Sequence, residues 1–103
     1  MWLGVITLFP DMFDSVCREG VFSRAIESGV VSMRFFNPRD YTSDRHRTVD
    51  DRPYGGGAGM VMRADIIEKA LLSIEQPGRK IYLSPRGKPL TQDLVKELSA
   101  SPA

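Results

Sequence analysis

Hydrophobic residues along this chain fall into short segments with two kinds of spacing. Residues 2–9, WLGVITLF, form a nearly continuous apolar run, which is typical of a strand covered on both faces in a parallel sheet. VVSMRFF at 30–36 and KIYLS at 80–84 predict two further strands. NPRD, which follows the second of these runs, predicts where that strand ends.

Two helices are predicted between the first two strands. Pro10 suits the first turn of a helix, where a missing N–H loses no intrahelical bond, and Gly20 is expected to end that helix. Ser23 is the expected N-cap of a second, short helix that ends at Gly29. The apolar face of the first helix consists of Met12, Phe13, Val16 and Cys17.

Two more helices are predicted in the second half of the chain. Asp65 with Glu68 three residues later resembles a capping box before a helix. The apolar stripe of that helix consists of Ile66, Ile67, Ala70, Leu71 and Ile74. Thr91 is the predicted N-cap of the last helix, whose inward-facing residues are Leu94, Val95 and Leu98.

The element order β, α, α, β, long loop, α, β, α predicts an α/β fold with a parallel sheet, formed as one domain by residues 1–103. Three strands with four helices make a thin sheet, and the chain stops directly after a helix. We therefore expect the domain to continue beyond position 103. The alternative is a complete small domain whose open sheet edge is covered by a partner.

A segment of more than 20 residues between Phe36 and Arg63 has neither a helical nor a strand period. Loops of this length are uncommon in compact domains and are usually functional or disordered. Apolar residues within it, such as Val49, Tyr54 and Met60, can pack, which argues against disorder. Composition alone also fits a solvated, salt-bridged surface loop.

The middle of this segment, DRHRTVDDRPYGGGAGM at 44–60, combines three arginines, three aspartates, the only histidine of the chain and four glycines. Arginine's planar guanidinium suits phosphate and guanine edges. Carboxylates can accept hydrogen bonds from the N1–H and amine of guanine, and glycines let a backbone approach a ligand closely. His46 with Asp50 four residues later is either an oriented acid–base pair or an ordinary hydrogen-bonded loop pair.

Composition narrows the classes of function. The chain has 103 residues, of which 42% are hydrophobic and 26% charged, as is ordinary for a soluble domain. Its net charge of +1 creates no global basic field, so any attraction for nucleic acid must be local. The single Cys17 excludes an intramolecular disulfide, and neither a signal peptide nor a membrane-spanning run is present. We expect a cytoplasmic protein with no membrane partner.

Several motifs of known chemistry are missing from the sequence. No GK[ST] follows the glycines, as a P-loop requires, and no G-x-G-x-x-G opens a helix directly after a strand. One histidine with one distant cysteine makes no zinc site, and we expect no metal centre. YLSPRG at 82–87 leaves the end of a predicted strand, where open α/β sheets bind ligands, although a plain Ser-Pro turn is the commoner meaning.

Three segments together resemble a single family: MWLGVITLFPDMF at 1–13, DRHRTVDDRPYGGGAGM at 44–60 and IYLSPRGKPL at 81–90. They are similar to the bacterial tRNA (guanine-N1)-methyltransferases, which belong to the knotted SPOUT class of S-adenosylmethionine-dependent RNA methyltransferases. The likeness runs along essentially the whole chain, and the central motif is long enough to be highly specific.

The resemblance implies a trefoil-knotted α/β fold and methyl transfer from S-adenosylmethionine to N1 of the guanosine immediately 3′ of the anticodon. It also implies tRNA as substrate and a homodimer with active sites at the subunit interface. The residues that match the family's pocket for the adenosine part of the cofactor are Tyr82, Leu83, Ser84, Pro85 and Gly87. Those that match the segment beside the methyl donor and target guanosine are His46, Asp50, Tyr54, Gly55 and Gly59.

Members of this family are much longer than the present chain. The resemblance places after residue 103 the segments that complete the knot, bind the methionine part of the cofactor and supply the catalytic aspartate, followed by a tRNA-gripping C-terminal domain. It therefore implies an incomplete knot, no catalytic residue within this chain, and no activity of the chain alone. A stand-alone phosphate- or nucleotide-binding α/β module and a non-catalytic pairing module are the alternatives.

Overall fold

A computed structural model describes residues 1–42, 50–51 and 61–100. In chain order the elements are β1 (Trp2–Ile6), a 3₁₀ turn (Pro10–Phe13), α1 (Asp14–Arg18), α2 (Gly20–Glu27), β2 (Ser32–Phe36), a second 3₁₀ turn (Pro38–Tyr41), β3 (Asp50–Asp51), β4 (Val61–Met62), α3 (Ala64–Ser73) and α4 (Gln92–Ala100). This mixture of strands and helices is the α/β class that the sequence predicts.

β1 and β2 form the parallel pair that the apolar runs predict. Trp2 is opposite Ser32 at the start of the two strands, and the register is continuous. Ile6 is opposite Phe36 at their ends. The terminal ammonium of Met1 donates a hydrogen bond of 2.8 Å to a carbonyl just before β2. The beginning of the chain is therefore held by main-chain bonding.

β1 is less covered than its apolar sequence predicts. None of its residues is buried: four are half-buried, and Gly4 is exposed. The expectation of a strand covered on both faces is therefore wrong for the described part of the chain. The reason is that β2 is its one strand partner among the described residues, so the sheet is too narrow to enclose β1.

The connection from β1 to β2 is helical, as predicted. Pro10 opens the first 3₁₀ turn. The first helix ends at Arg18, and Gly20 (φ +74°), two residues later, is the first residue of α2. Gly29 (φ +81°) follows the end of α2. Both conformations favour glycine, so both predicted helix ends are confirmed. Ser23 is not an N-cap, because α2 begins three residues earlier, and the Ser23 side chain is buried inside that helix.

One aromatic contact joins this connection to the sheet. The ring centroids of Phe13 and Phe35 are 5.2 Å apart, with their planes tilted by 39°. That geometry is favourable for paired aromatic rings. Only half of the apolar face predicted for the first helix is covered by other residues. Phe13 and Cys17 are half-buried, whereas Met12 and Val16 are exposed.

The core lies where β2 ends and α3 begins its second turn. Ile66 is 2% exposed and Ala70 is fully buried, which confirms the centre of the predicted stripe of α3. Phe36 and Pro38 are buried with them, and α3 packs on the second 3₁₀ turn. The Ser73 hydroxyl lies 2.8 Å from the hydroxyl of Tyr41, which links the end of α3 to the same turn.

That second 3₁₀ turn is fixed by its own side chains. The Asn37 Oδ1 atom accepts a hydrogen bond from the Arg39 amide at 3.0 Å, which is an N-capping bond. The Thr42 hydroxyl donates to the Arg39 carbonyl at 2.9 Å. Strand β2 therefore ends at NPRD, as predicted.

The start of α3 differs from the predicted capping box. Its N-cap is Arg63, and no side chain caps it. Asp65 is instead held by the Arg63 guanidinium, whose Nε donates to Oδ1 at 3.2 Å and whose Nη2 donates to Oδ2 at 2.8 Å. These hydrogen bonds and the positive charge of Arg63 lower the pKa of Asp65 below its ordinary value.

Residues 80–84 do not form the predicted third strand. Tyr82 is 89% exposed and Leu83 is 88% exposed. A strand requires a partner for its main-chain N–H and C=O groups, and in the described residues β1 pairs only with β2. The apolar pattern of residues 80–84 indicates strand composition, but a sequence pattern cannot supply the partner that a strand needs.

A short pair of strands lies in the long segment between Phe36 and Arg63, and the sequence pattern did not predict it. Asp50 is opposite Met62 and Asp51 is opposite Val61, so β3 and β4 form a short antiparallel pair. Two residues per strand are too few to show an alternating pattern in a sequence.

The last helix, α4, starts as predicted. The Thr91 hydroxyl accepts a hydrogen bond from the Leu94 amide at 3.2 Å, which confirms Thr91 as N-cap. Leu94 and Leu98 are half-buried, whereas Val95 is exposed. The expected inward orientation of Val95 is therefore wrong, because it lies one position outside the i, i+4 row that Leu94 and Leu98 share.

Ile66→Ala is expected to lower the free energy of unfolding by about 2–4 kcal/mol, because it removes a buried side chain from a packed core. Leu72→Ala, on the same helix but 76% exposed, is the matched control and should change it by less than about 0.5 kcal/mol. Urea unfolding followed by circular dichroism measures both. Equal losses in the two variants would contradict this location of the core.

Arg63→Gln is expected to raise the pKa of Asp65 towards its ordinary value, because it removes the donating guanidinium. A carboxyl whose folded pKa is lowered stabilises the fold above its unfolded pKa of about 3.9, and this contribution is lost as the pH falls through the folded pKa. Carboxyl carbon chemical shifts against pH measure the midpoint. Arg18→Gln is the control, and an unaltered midpoint in Arg63→Gln would disprove the assignment.

Candidate functional site

The predicted cofactor segment contains a defined turn. The Gly87 amide donates to the Ser84 carbonyl at 3.0 Å, which closes four residues into a β-turn. The Arg86 amide donates to the Ser84 hydroxyl at 3.2 Å. Serine at the first position, proline at the second and glycine at the fourth are the residues that a type I turn favours. The local sequence SPRG therefore accounts for the turn.

Glycine at position 87 suits the closeness of this turn. A Cβ atom at Gly87 would lie 3.2 Å from the Ser84 carbonyl oxygen, which is tighter than an ordinary contact. Without a Cβ, the backbone at Gly87 stays accessible to a ligand. Beside it, the exposed ring of Tyr82 and side chain of Leu83 offer apolar surface. A tight backbone turn with adjacent aromatic and aliphatic surface fits a flat heterocycle and its sugar.

An ion pair ties this segment to the last helix. Arg79 Nη1 lies 3.1 Å from Glu97 Oε1, so the residues before Tyr82 are linked to α4. Both side chains are more than half exposed, and exposed pairs of this kind contribute about 0–1 kcal/mol. The pair therefore orients the segment more than it stabilises the fold.

The second predicted group falls mostly outside the described residues. His46, Tyr54, Gly55 and Gly59 lie there. Asp50 is the first residue of β3, and its pairing with β4 joins it to the start of α3. The described contacts thus anchor Asp50 beside α3 and the 82–87 segment beside α4. They do not bring the two groups together.

A hollow elsewhere on the molecule was not predicted. It has a volume of 340 Å³, and the described site residues Tyr82, Leu83, Ser84, Pro85 and Gly87 do not line it. Its wall includes Trp2, Arg34 and Phe36, and the Arg34 guanidinium carbon lies 5.3 Å from the centroid of the Phe36 ring. Alternation along β2 places Arg34 and Phe36 on one face, which is the sequence signal that could have identified them. Its remaining lining residues are Ser73, Ile74, Glu75 and Gln76.

Across the residues that the structure describes, no helix has the length and apolar character needed to span a bilayer.

Sequence comparison identifies the family. Residues 1–103 match the family described as tRNA (Guanine-1)-methyltransferase TrmD. A tRNA (guanine-N(1)-)-methyltransferase of Oleidesulfovibrio alaskensis is 54% identical over 99 residues, covering 96% of this chain and 23% of the relative. One from Pseudoalteromonas atlantica is 54% identical over 102 residues, covering 95% and 38%. One from Pseudomonas aeruginosa is 50% identical over 108 residues, covering 100% and 43%.

A solved structure has the same fold. The crystal structure of tRNA (m1G37) methyltransferase from Aquifex aeolicus superimposes with a TM-score of 0.82 at 33% sequence identity, covering 98% of this chain and 47% of that chain. This likeness confirms the expected SPOUT-type α/β fold. The chain spans between about a quarter and a half of the length of the proteins it matches. On the match of all its residues to the family, the chain belongs to the tRNA (guanine-1)-methyltransferases.

Proposed function

We propose that this chain is part of an enzyme that transfers a methyl group from S-adenosylmethionine to N1 of the guanosine immediately 3′ of the anticodon in tRNA. The observation that carries the proposal is the identity of about half of the residues, along nearly the whole chain, with proteins named tRNA (guanine-N(1)-)-methyltransferase. A homodimer and a cytoplasmic location belong to the same proposal and rest on family membership alone.

The proposal includes a domain assignment. Residues 1–103 are the N-terminal part of the SPOUT domain, and the rest of that domain and a C-terminal tRNA-binding domain follow them. The exposed apolar residues Ile81, Tyr82 and Leu83 support this assignment. They have the composition of a buried strand but no strand partner among the described residues, which is the surface expected of an incomplete sheet.

The cofactor site in this proposal is the segment with the Ser84–Gly87 turn. Apolar surface at Tyr82 and Leu83 and the accessible backbone at Gly87 fit an adenosine group, which Tyr82, Leu83, Ser84, Pro85 and Gly87 hold. When bound, S-adenosylmethionine supplies the sulfonium methyl group. Main-chain and hydroxyl bonds within the segment close the turn. A turn held by its own bonds loses little conformational freedom when a ligand binds to it.

The substrate site in this proposal is the 44–60 segment. His46, Asp50, Tyr54, Gly55 and Gly59 lie beside the methyl donor and the target guanosine. Guanine N1 carries a proton and becomes a nucleophile when a base removes it, a role that carboxylates commonly perform. We assign that base to a residue beyond position 103, so the residues of this chain bind and orient, and the 103-residue chain alone has no turnover.

The experiment that tests this function uses the protein at its native length. A tRNA transcript with guanosine 3′ of the anticodon, incubated with S-adenosylmethionine, is expected to yield 1-methylguanosine on nucleoside mass spectrometry. The same transcript with adenosine at that position is the control and should yield none. Methylation at another atom or position, or no product with the native-length protein, would refute the proposal.

Gly87→Ala is expected to weaken S-adenosylmethionine binding by about tenfold, since a loss of about 1.4 kcal/mol from a displaced turn produces that change. Ser99→Ala is the control, because the Ser99 hydroxyl bonds only to the Lys96 carbonyl of its own helix. Titration calorimetry measures both variants at native length. If Gly87→Ala binds as the parent does, the cofactor site lies elsewhere.

Tight binding of free nucleotides by the parent protein, without binding of S-adenosylmethionine, would favour the alternative of a nucleotide-binding module.

A further inference from the structure

We propose that Lys80, Arg86 and Lys88, hereafter the turn cations, bind the phosphate backbone of the RNA substrate next to the cofactor turn. This inference rests on the proposed function and names a further substrate-contacting surface for it. Residues 79–88 contain four of the 14 lysines and arginines of the chain and none of its 13 aspartates and glutamates. The chain as a whole has a net charge of only +1, so this segment is a local concentration of positive charge.

The turn cations are exposed and uncompensated. Among residues 79–88, the described part of the chain gives an acidic partner to Arg79 alone, which pairs with Glu97. Lys80, Arg86 and Lys88 are all exposed to solvent. Their charges are therefore available to an anion outside the described part of the chain.

The turn fixes the backbone from which two of these cations project. Arg86 is the third residue of the turn, and its amide is bonded to the Ser84 hydroxyl at 3.2 Å. The hydrogen bond from the Gly87 amide to the Ser84 carbonyl, at 3.0 Å, fixes the position of Gly87, which directly precedes Lys88. Arg86 and Lys88 are two residues apart, so their Cα atoms lie within about 7 Å of each other. One short stretch of a polyanion can meet both.

The cofactor does not explain these charges. Adenosine is neutral, and S-adenosylmethionine as a whole has a net positive charge, because its sulfonium and ammonium outweigh its one carboxylate. Three additional cations around the turn that holds the adenosine part therefore give it no net electrostatic stabilisation. A nucleic acid carries one negative charge per nucleotide, which lysine binds as a point charge and arginine binds with a bidentate fork. The chemistry that matches unpaired cations around a cofactor turn is therefore the backbone of the RNA that must reach the same methyl group.

The test combines RNA binding and cofactor binding on the native-length protein. Arg86→Gln/Lys88→Gln is titrated with a fluorescent anticodon stem-loop at several salt concentrations, with anisotropy as the readout. The expected result is about tenfold weaker binding, and a slope of log affinity against log salt that is shallower by about 1.4. Affinity for S-adenosylmethionine, measured by calorimetry, is expected to stay within twofold of the parent. Arg86→Lys/Lys88→Arg should retain RNA binding.

Arg18→Gln/Arg24→Gln is the matched control, since it removes the same charge from exposed positions on α1 and α2. An unaltered affinity and salt slope in the Arg86/Lys88 variant would overturn the proposal, as would an equal loss in the control. Inorganic pyrophosphate that displaces the stem-loop at micromolar concentration from the parent but not from the variant would indicate a small phosphate ligand and also overturn it. The proposed function itself is tested separately, by measuring the methylation product of the parent protein.

Discussion

Parallel pairing of β1 with β2 is the constraint on which the other described elements depend. Two parallel strands cannot be joined by a tight turn, so the intervening chain must cross back over the sheet, and here it does so as a 3₁₀ turn, α1 and α2. The register ends with Ile6 opposite Phe36. Phe36 is buried at the end of this register, and Pro38, Ile66 and Ala70 are buried in the elements that follow, where α3 packs on the second 3₁₀ turn.

Order beyond this core is local. The Ser84–Gly87 turn, the Thr91 cap and the Arg79–Glu97 pair each join residues that are three to 18 positions apart. None of them encloses the apolar side chains at Tyr82 and Leu83. The Ser84–Gly87 turn is thus formed by short-range chemistry, whereas burial of the apolar side chains beside it needs further partners. Such a division is consistent with a chain that spans less than half of the proteins it matches.

Sequence reasoning succeeded where the physical cause lies within a few residues. Gly20 and Gly29 follow the ends of helices because their positive φ favours glycine, and Thr91 caps α4 because its side-chain oxygen reaches the Leu94 amide. It failed where two partners compete for one group, or where the required partner lies far away along the chain. Asp65 has a partner in the Arg63 side chain rather than in the helix amides, and residues 80–84 have strand composition without a strand. In the candidate site, the turn around Gly87 could be predicted from the sequence. Whether this turn comes together with Asp50 could not be predicted.

By itself the sequence determined the family, the α/β class, the C-terminal ends of α1 and α2, the N-cap of α4 and the turn at Ser84–Gly87, because each depends on residue identity at short range. Tertiary structure decided which apolar surface is enclosed. Ile66 is buried while Leu72 on the same helix is exposed, since only one face of α3 meets the turn at Pro38–Tyr41. The apolar segment at Ile81–Leu83 stays exposed, since hydrogen bonding in a strand requires a second chain segment at the right distance.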